Sequence, residues 1–447
     1  MPKVHVRTYG CQMNERDSEQ VVRMFIEGGY TVTANEAEAD AILINTCSVR
    51  DQAEQKALGK MGMLGAKHRW RPHVVYGFMG CMAQSRGEDL LRKLPDVDLV
   101  VGTWRFHRVI DHVEGLLDAH GGRRRVADVA EEEGSERTIR DHVVGTPRAS
   151  AFISVMQGCN MRCAFCIVPA TRGPERSRPI AEIVEEARAL VASGVREVTL
   201  LGQIVNAYGR REIPRTVGCS PFVQLLEALH KVENLDRIRF TAPHPTGFRD
   251  DLIGAFGRLP RLCEHVHLPA QSGSDRVLRA MRRSYTVDHY RRIVDKLRDR
   301  VPGIAITTDL IVAFPGETEA EFQETLLFAR EVAFDQAFIY RFSPRRGTPA
   351  AEMPDPHTEE EKRRRNQELL AIIDEGVLRR LDAEVGQERE VLVEGPSTRN
   401  PARLTGRTRQ NRIVVWPDDG SAPGRLRRLR IEKRLGFSLL GSPAAGD

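Results

Sequence analysis

The stretch MQGCNMRCAFCIVP, Met156 to Pro169, places three of the chain's eight cysteines within eight residues, spaced C-x3-C-x2-C. The run AFISVM directly before it reads as a β-strand, so Cys159, Cys163 and Cys166 fall on the loop after that strand. A structural zinc site asks for four protein ligands and usually pairs two C-x2-C halves. The local set here is three. An iron–sulfur cube held by three cysteines keeps one iron open to a small molecule, and such an iron can chelate an amino and a carboxylate group together. A zinc knuckle completed by a distant fourth ligand is the competing reading.

Downstream, strand patterns recur: REVTLLG, RIRFTA, EHVHLPA, AITTDLIVA and QAFIYRF. Helical patterns such as IAEIVEEARALVASG and EAEFQETLLFAREV lie between them. With AFISVM these predict six β/α units, an incomplete barrel with parallel strands inside and helices outside. Chemistry in such folds collects at the C-terminal ends of the strands. The run PHTEEEKRRRNQELLAIIDEGVLRRLDAEVG predicts a long charged helix leading out.

Upstream, KVHVRTY, ADAILINT and HVVYGFM read as short strands, each followed by a helical pattern, which predicts a parallel α/β layer. Cys11, Cys47 and Cys81 each come just after one of these strands and just before a helix. Those loops share one edge of a parallel sheet, so three cysteines distant in sequence should converge, and helix N-termini there favour thiolates. The functional reading is a second cube, against three isolated structural cysteines. Cys219 and Cys263 belong to no ligand pattern.

The organisation expected is α/β: an N-terminal parallel domain over residues 1–118, a linker over 119–148, an incomplete (β/α)6 core over 149–378 and a small β-barrel over 379–447. REVLVEG, NRIVVWP and RLRIEKRL, broken by Gly and Pro, suggest that last barrel, of the kind that binds oligonucleotides. From Gly395 to Asp447 there are eleven Lys/Arg and four Asp/Glu, a net of +7, which leaves −2 for the rest of a chain of +5. A basic end on a near-neutral body points to a polyanion such as nucleic acid, against a merely solvated surface. Arg403, Arg407, Arg409 and Arg412 suit phosphate contact. No run of eighteen apolar residues exists, and the N-terminus lacks a signal-peptide core, so a cytoplasmic protein without a membrane segment is expected. There is no nucleophile–His–acid arrangement and no phosphate-binding P-loop.

The cysteine loop and the six β/α units resemble the radical S-adenosylmethionine superfamily. Two three-cysteine sets and a terminal barrel similar to a TRAM domain extend this to the methylthiotransferase family over nearly the whole chain. The stretches YGCQMN, NTCSVRDQAEQKALGKMG, GCMAQ, LLGQIVNAYG, HLPAQSGSDRVLRAMRR and TTDLIVAFPGETEAEF carry the likeness, and LTGRTRQNRIVVW the TRAM part. The region after Cys47 is similar to the branch that acts on isopentenylated adenosine beside the tRNA anticodon. The sister branch that modifies an aspartate of ribosomal protein S12 usually differs there.

The resemblance implies two [4Fe-4S] clusters, one on each cysteine set, and S-adenosylmethionine as both methyl donor and radical source. It further implies an electron-donor protein, a sulfur source and a tRNA substrate; a monomer is expected. Gln203, Gln271 and Asp309 end predicted strands and are expected to contact S-adenosylmethionine or the base, or only to shape the rim loops. His244 and His267 are read as rim hydrogen-bonders rather than metal ligands. The family pattern is broken at Ile204, usually Asn, at Ala313, usually Gly, and at Arg346, usually Pro. A zinc-stabilised RNA-binding protein without catalysis is the rival of another class; iron and sulfide content after anaerobic purification separates the two.

Overall fold

The structure is a computed structural model that describes residues 1–48, 51–68, 71–118, 124–132, 148–216 and 218–444. The N-terminal sheet is parallel, with strands β1 (Lys3–Tyr9), β2 (Thr31–Val32), β3 (Ala41–Thr46), β4 (Val75–Met79), β5 (Leu99–Val101) and β6 (Val126–Asp128) in the order β2-β1-β3-β4-β5-β6. Helices α1 (Gln12–Glu27), α2 (Asp51–His68), α3 (Cys81–Arg86), α4 (Glu88–Lys93) and α5 (Val109–Leu117) connect them. Every residue of β3 is buried. Ile42 and Ile44 join the core on one face, with Tyr76 and Phe78. Leu43 joins the other, with Val75 and Leu99. An unbroken apolar run is what a parallel strand covered on both faces requires. Strands β2, β5 and β6 are too short to show as patterns. Strand β6 pairs with β5 inside the stretch expected to be a linker, so the sheet extends past residue 118. Residues 119–123 and 133–147 of that stretch lie outside the described residues.

All six expected core strands form: β7 (Ser150–Ser154), then, after the short antiparallel pair β8 (Met156–Gln157) and β9 (Arg176–Ser177), β10 (Glu197–Leu201), β11 (Arg237–Phe240), β12 (His265–His267), β13 (Ala305–Val312) and β14 (Gln336–Arg341). They run as two parallel sheets, β7-β10-β11 and β12-β13-β14, joined by a parallel bridge between Ile238 and Leu262. Helix α6 (Val168–Arg172) follows the cysteine loop, and α7 (Ile180–Ala192), α8 (Pro221–His230), α9 (Asp250–Arg258), α10 (Asp275–Ala280), α11 (Val287–Arg300) and α12 (Glu319–Val332) surround the strands. Helix α7 buries Ile183, Glu186, Ala187 and Leu190, one stripe at helical spacing. Helix α12 opens with the expected capping box between Thr318 and Glu321. Helix α13 (Glu359–Asp382) does not lead outward: Leu369, Ile373, Val377 and Leu381, four residues apart, fasten it into the main core.

Strands β15 (Glu388–Pro396), β16 (Arg403–Thr408), β17 (Ile413–Pro417), β18 (Leu426–Leu435) and β19 (Ser438–Pro443) close into a barrel around Trp416. This barrel docks against the N-terminal ends of the core strands. Arg237, at the start of β11 and 0% exposed, donates to the Arg407 carbonyl (2.7 Å) and to Glu390 Oε1 (2.8 Å). Arg239 donates to the carbonyls of Arg409 and Thr408. In return Arg409 grips both oxygens of Glu264 (2.7 and 2.8 Å), and Arg412 reaches Asp335 (3.0 Å). The loops after the opposite, C-terminal ends of the strands are left free of the barrel and carry the site.

Arg409→Ala removes a two-point ion pair and its bonds to the carbonyls of Pro260 and Leu262. The expected cost is about 1–2 kcal/mol, since the pair is only partly buried. Hydrogen exchange should speed up in β16 and leave β1 and β3 unchanged. Equal acceleration in both regions would show that this arginine does not fasten the barrel.

Candidate functional site

Strands β1, β3 and β4 are neighbours, and each delivers one cysteine at its C-terminal end. Cys11 is the N-cap of α1, Cys47 donates its N–H to the Tyr9 carbonyl (3.0 Å), and Cys81 opens α3. Gly80, just before Cys81, has φ +93°, and a Cβ there would lie 2.1 Å from Asn45 Oδ1. That asparagine belongs to a buried net beneath the cysteines. It accepts from Asn14 Nδ2 (3.1 Å) and donates to Ser18 Oγ (3.0 Å), while the Cys11 thiol donates to Asn14 Oδ1 (3.3 Å). A hydrogen bond from the Cys47 side chain, with the charge of Arg172, lowers Cys11 to about 6, whereas burial pushes Cys81 up.

The second triad sits on a loop tied shut at its base. Cys159 N–H donates to the Gly173 carbonyl (3.0 Å), and Asn160 and Glu175 exchange two bonds (3.3 and 3.2 Å). Arg210 clamps Glu175 with two more (2.8 and 2.7 Å). Gly158 has φ +77°, and a Cβ there would meet the Pro174 carbonyl at 1.9 Å, so only glycine closes the loop. Burial raises Cys159 to about 11 and Cys166 to about 12. Two donors already point at this set: Met161 N–H at Cys159 Sγ and Arg283 Nη1 at Cys163 Sγ, both 3.4 Å.

The two sets share one interface. Arg172, at the end of α6, makes a bidentate pair with Asp17 of α1 (3.2 and 2.5 Å), and both are buried. Thr103 bonds the Thr171 carbonyl, Arg176 stacks over Trp104 at 4.2 Å, and Met13 Sδ accepts from Ser154 Oγ. Arg172 acts electrostatically on both Cys11 and Cys81.

The rim residues divide. Gln203 follows β10, and its Oε1 is buried without a hydrogen-bond partner among the described residues, an acceptor left over for a ligand N–H. Gln271 follows β12 with φ +68°. Asp309 does not end its strand: it lies inside β13, and its carboxylate accepts from His267 Nε2 (3.2 Å). His267 is thus a rim hydrogen-bonder, also bonded to Thr307. Ala242, Gln271 and Ala313 all have positive φ just beyond strand ends β11, β12 and β13, backbone strain of the kind that gathers at functional sites. Of the four barrel arginines, three are engaged within the protein: Arg407 with Glu394, Arg409 with Glu264, Arg412 with Asp335 and Glu384. Arg403 alone of the four has no ion pair among the described residues. Sequence reasoning missed Arg172, Arg210 and Arg283. The AMRR run held Arg283 in view, but nothing local aimed it at a cysteine.

Both triads fit an iron–sulfur cube. Each supplies three cysteines. Among the described residues, no three His, Cys, Asp or Glu side chains crowd closely enough for one metal ion. A cube spreads its ligands over separate corners, and N–H donors at cysteine sulfur are the partners that tune such clusters.

Residues 153–329 match the radical SAM superfamily, 3–102 the uncharacterized protein family UPF0004 and 382–444 the TRAM domain. The chain is 54% identical to the tRNA-2-methylthio-N(6)-dimethylallyladenosine synthase of Akkermansia muciniphila, covering 99% of both chains. It belongs to that family of radical S-adenosylmethionine enzymes. Relatives of the same name from Opitutus terrae (49% identity, 99% of this chain and 97% of that one) and Methylacidiphilum infernorum (48%, 99% and 95%) agree. Among solved structures, the radical S-adenosylmethionine methyltransferase TsrM from Kitasatospora setae shares the fold, with a TM-score of 0.53 at 13% identity over 78% of this chain and 75% of that one.

Two variants test this family site. Arg172→Ala strands a buried Asp17 and should cost about 3–5 kcal/mol in denaturant unfolding. A change below 1 kcal/mol, by the same linear extrapolation, would mean that the pair does not join the domains. Gly158→Ala should cost about 2 kcal/mol or more and lower iron content, since the loop cannot close around its added methyl. Full iron loading in a stable Gly158→Ala protein would contradict this.

Proposed function

We propose that this protein replaces the hydrogen on carbon-2 of N6-isopentenyladenosine, beside the tRNA anticodon, with a methylthio group. The observation that carries this reading is a three-cysteine set in each of two domains, with Arg172, from the helix after the core set, buried against Asp17 and acting on Cys11 and Cys81. Cys159, Cys163 and Cys166 would hold one [4Fe-4S] cluster, and Cys11, Cys47 and Cys81 a second. When bound, these groups and S-adenosylmethionine would supply the electron, the carbon radical, the methyl group and the sulfur.

The chain's own residues bind, orient and exclude. Arg283 and the Met161 amide donate to cysteine sulfur at the core set, and burial of Cys47, Cys81, Cys159 and Cys163 limits water at the chemistry. Gln203, Gln271 and Asp309 would contact S-adenosylmethionine or the base. A stacked duplex base could not reach this rim, which suits a base exposed in a loop. The terminal barrel sits at the far end of the core strands from the rim. An RNA touching both must therefore run along the side of the core, as a tRNA is long enough to do. Among the described residues, Arg399, Arg403, Arg425, Arg430 and Lys433 of the barrel have no ion pair and would meet its phosphates. A cytoplasmic monomer served by an electron-donor protein and a separate sulfur source completes the proposal. No helix among the described residues is long and apolar enough to cross a membrane.

The test is mass spectrometry of tRNA nucleosides from cells lacking the native enzyme. Wild type should restore the methylthio nucleoside, and replacing either cysteine triad by Ala should abolish it. Each triple variant should keep about half the iron, because the triads belong to separate domains. Only the Cys11/Cys47/Cys81 variant should still form 5′-deoxyadenosine. Unmodified tRNA with a modified ribosomal protein S12 would overturn the substrate; zinc in place of iron would overturn the enzyme.

A further inference from the structure

Beside the core cysteine loop lies a cavity of about 290 Å³ whose walls include Met161, Asn206, Arg210, Arg215, His244 and Arg249. Met161 stands between Cys159 and Cys163 in sequence and packs with Cys159 and Ile204, so the cavity adjoins the cluster loop. Its walls are preformed. Asn206 Nδ2 donates to the His244 carbonyl (2.9 Å), and its Oδ1 accepts the His244 N–H (2.9 Å). Gly247 packs so closely that a Cβ there would come within 2.6 Å of Asn206 Nδ2.

Three arginines surround this space. Arg210 is committed to Glu175. Arg215 and Arg249 are exposed, and neither has a carboxylate partner among the described residues. Asp251, also on the wall, is engaged by the Ser220 N–H (2.9 Å). The decisive group is His244, 4% exposed. Its Nδ1 accepts from the Thr246 N–H (3.3 Å) and faces the Thr246 hydroxyl (2.8 Å). Its Nε2 is buried without a hydrogen-bond partner among the described residues. Burial, with Arg283 and Arg210 nearby, holds the ring near pKa 3, so it is neutral. With Nδ1 accepting, the proton sits on Nε2, a donor that no group among the described residues uses. A buried donor left unmatched costs free energy, and a ligand acceptor removes that cost.

We propose that this cavity takes a backbone phosphate of the RNA next to the target nucleotide, with His244 Nε2–H as the fixed donor and Arg215 and Arg249 as the charges. The inference rests on the RNA substrate proposed above. It adds a phosphate subsite on the catalytic rim, separate from the terminal barrel. Donor and cations line the same cavity, so a phosphate held there would fix the register of the strand; a scattered basic surface would only attract it.

The experiment uses the full-length, cluster-loaded protein and an anticodon stem–loop carrying isopentenyladenosine. Single phosphates flanking the target are replaced one at a time by uncharged methylphosphonate. Wild type should lose about tenfold in affinity at one flanking position, as for one charge-assisted hydrogen bond. In the Arg215→Ala/Arg249→Ala double variant the same replacement should cost little, because the contact is already gone. The slope of log affinity against log salt should fall by about 0.7 per lost phosphate contact. The Arg215→Lys/Arg249→Lys pair should restore the slope. If every replacement costs both proteins equally, the subsite is overturned while the RNA substrate stands. Weaker S-adenosylmethionine binding with an unchanged RNA slope would also overturn it, giving the cavity to the cofactor's carboxylate. Failure of wild type to bind the stem–loop would overturn this inference and the proposed substrate together.

Discussion

The buried pair between Arg172 and Asp17 is the contact on which the site depends. Asp17 lies six residues after Cys11, which caps its helix, and Arg172 six residues after Cys166, so one ion pair links the elements that carry one cysteine of each set. Neither partner could be lost cheaply, because a lone charge in that dry interface would be stranded. The guanidinium also supplies positive charge beside Cys11 and Cys81, where thiolates and an anionic cluster would gather. A single contact thus joins domain docking to the electrostatics of the sulfur ligands. Around it, Trp104 fits against Gly173, where any side chain would collide with the indole.

The molecule is polarised along its core strands. At their N-terminal ends the terminal barrel is bolted down by reciprocal arginines: Arg237 and Arg239 reach into the barrel, while Arg409 and Arg412 reach back. These charges are largely spent on architecture, so the excess of +7 in the last segment overstates what is left for RNA. At the C-terminal ends the backbone is strained at Ala242, Gln271 and Ala313. Ala313 stands where the family pattern has glycine, and it holds a left-handed conformation, φ +55°, that costs an alanine about 1 kcal/mol. Its amide is held by Glu317 Oε2 at 2.6 Å, which secures that turn. Ile204, where the pattern has asparagine, instead lays an apolar wall beside Cys159.

The sequence by itself determined the six cysteines, their placement after strands, the six β/α units and the class of the terminal barrel. Those features are local: each needs only a strand pattern and the residues just beyond it. It could not show β2, β5 and β6, which are too short for a period to register, nor that α13 folds back onto the core. Tertiary structure alone decided which arginines meet which carboxylates. Arg172 and Asp17 are 155 residues apart in the chain, and Arg283 is 120 residues from the cysteine it touches. Arg407, Arg409 and Arg412 look alike in sequence to Arg403, yet three are held by Glu and Asp that packing brings to them. A guanidinium's use depends on its neighbours in space, and side-chain chemistry carries no record of those neighbours until the chain has folded.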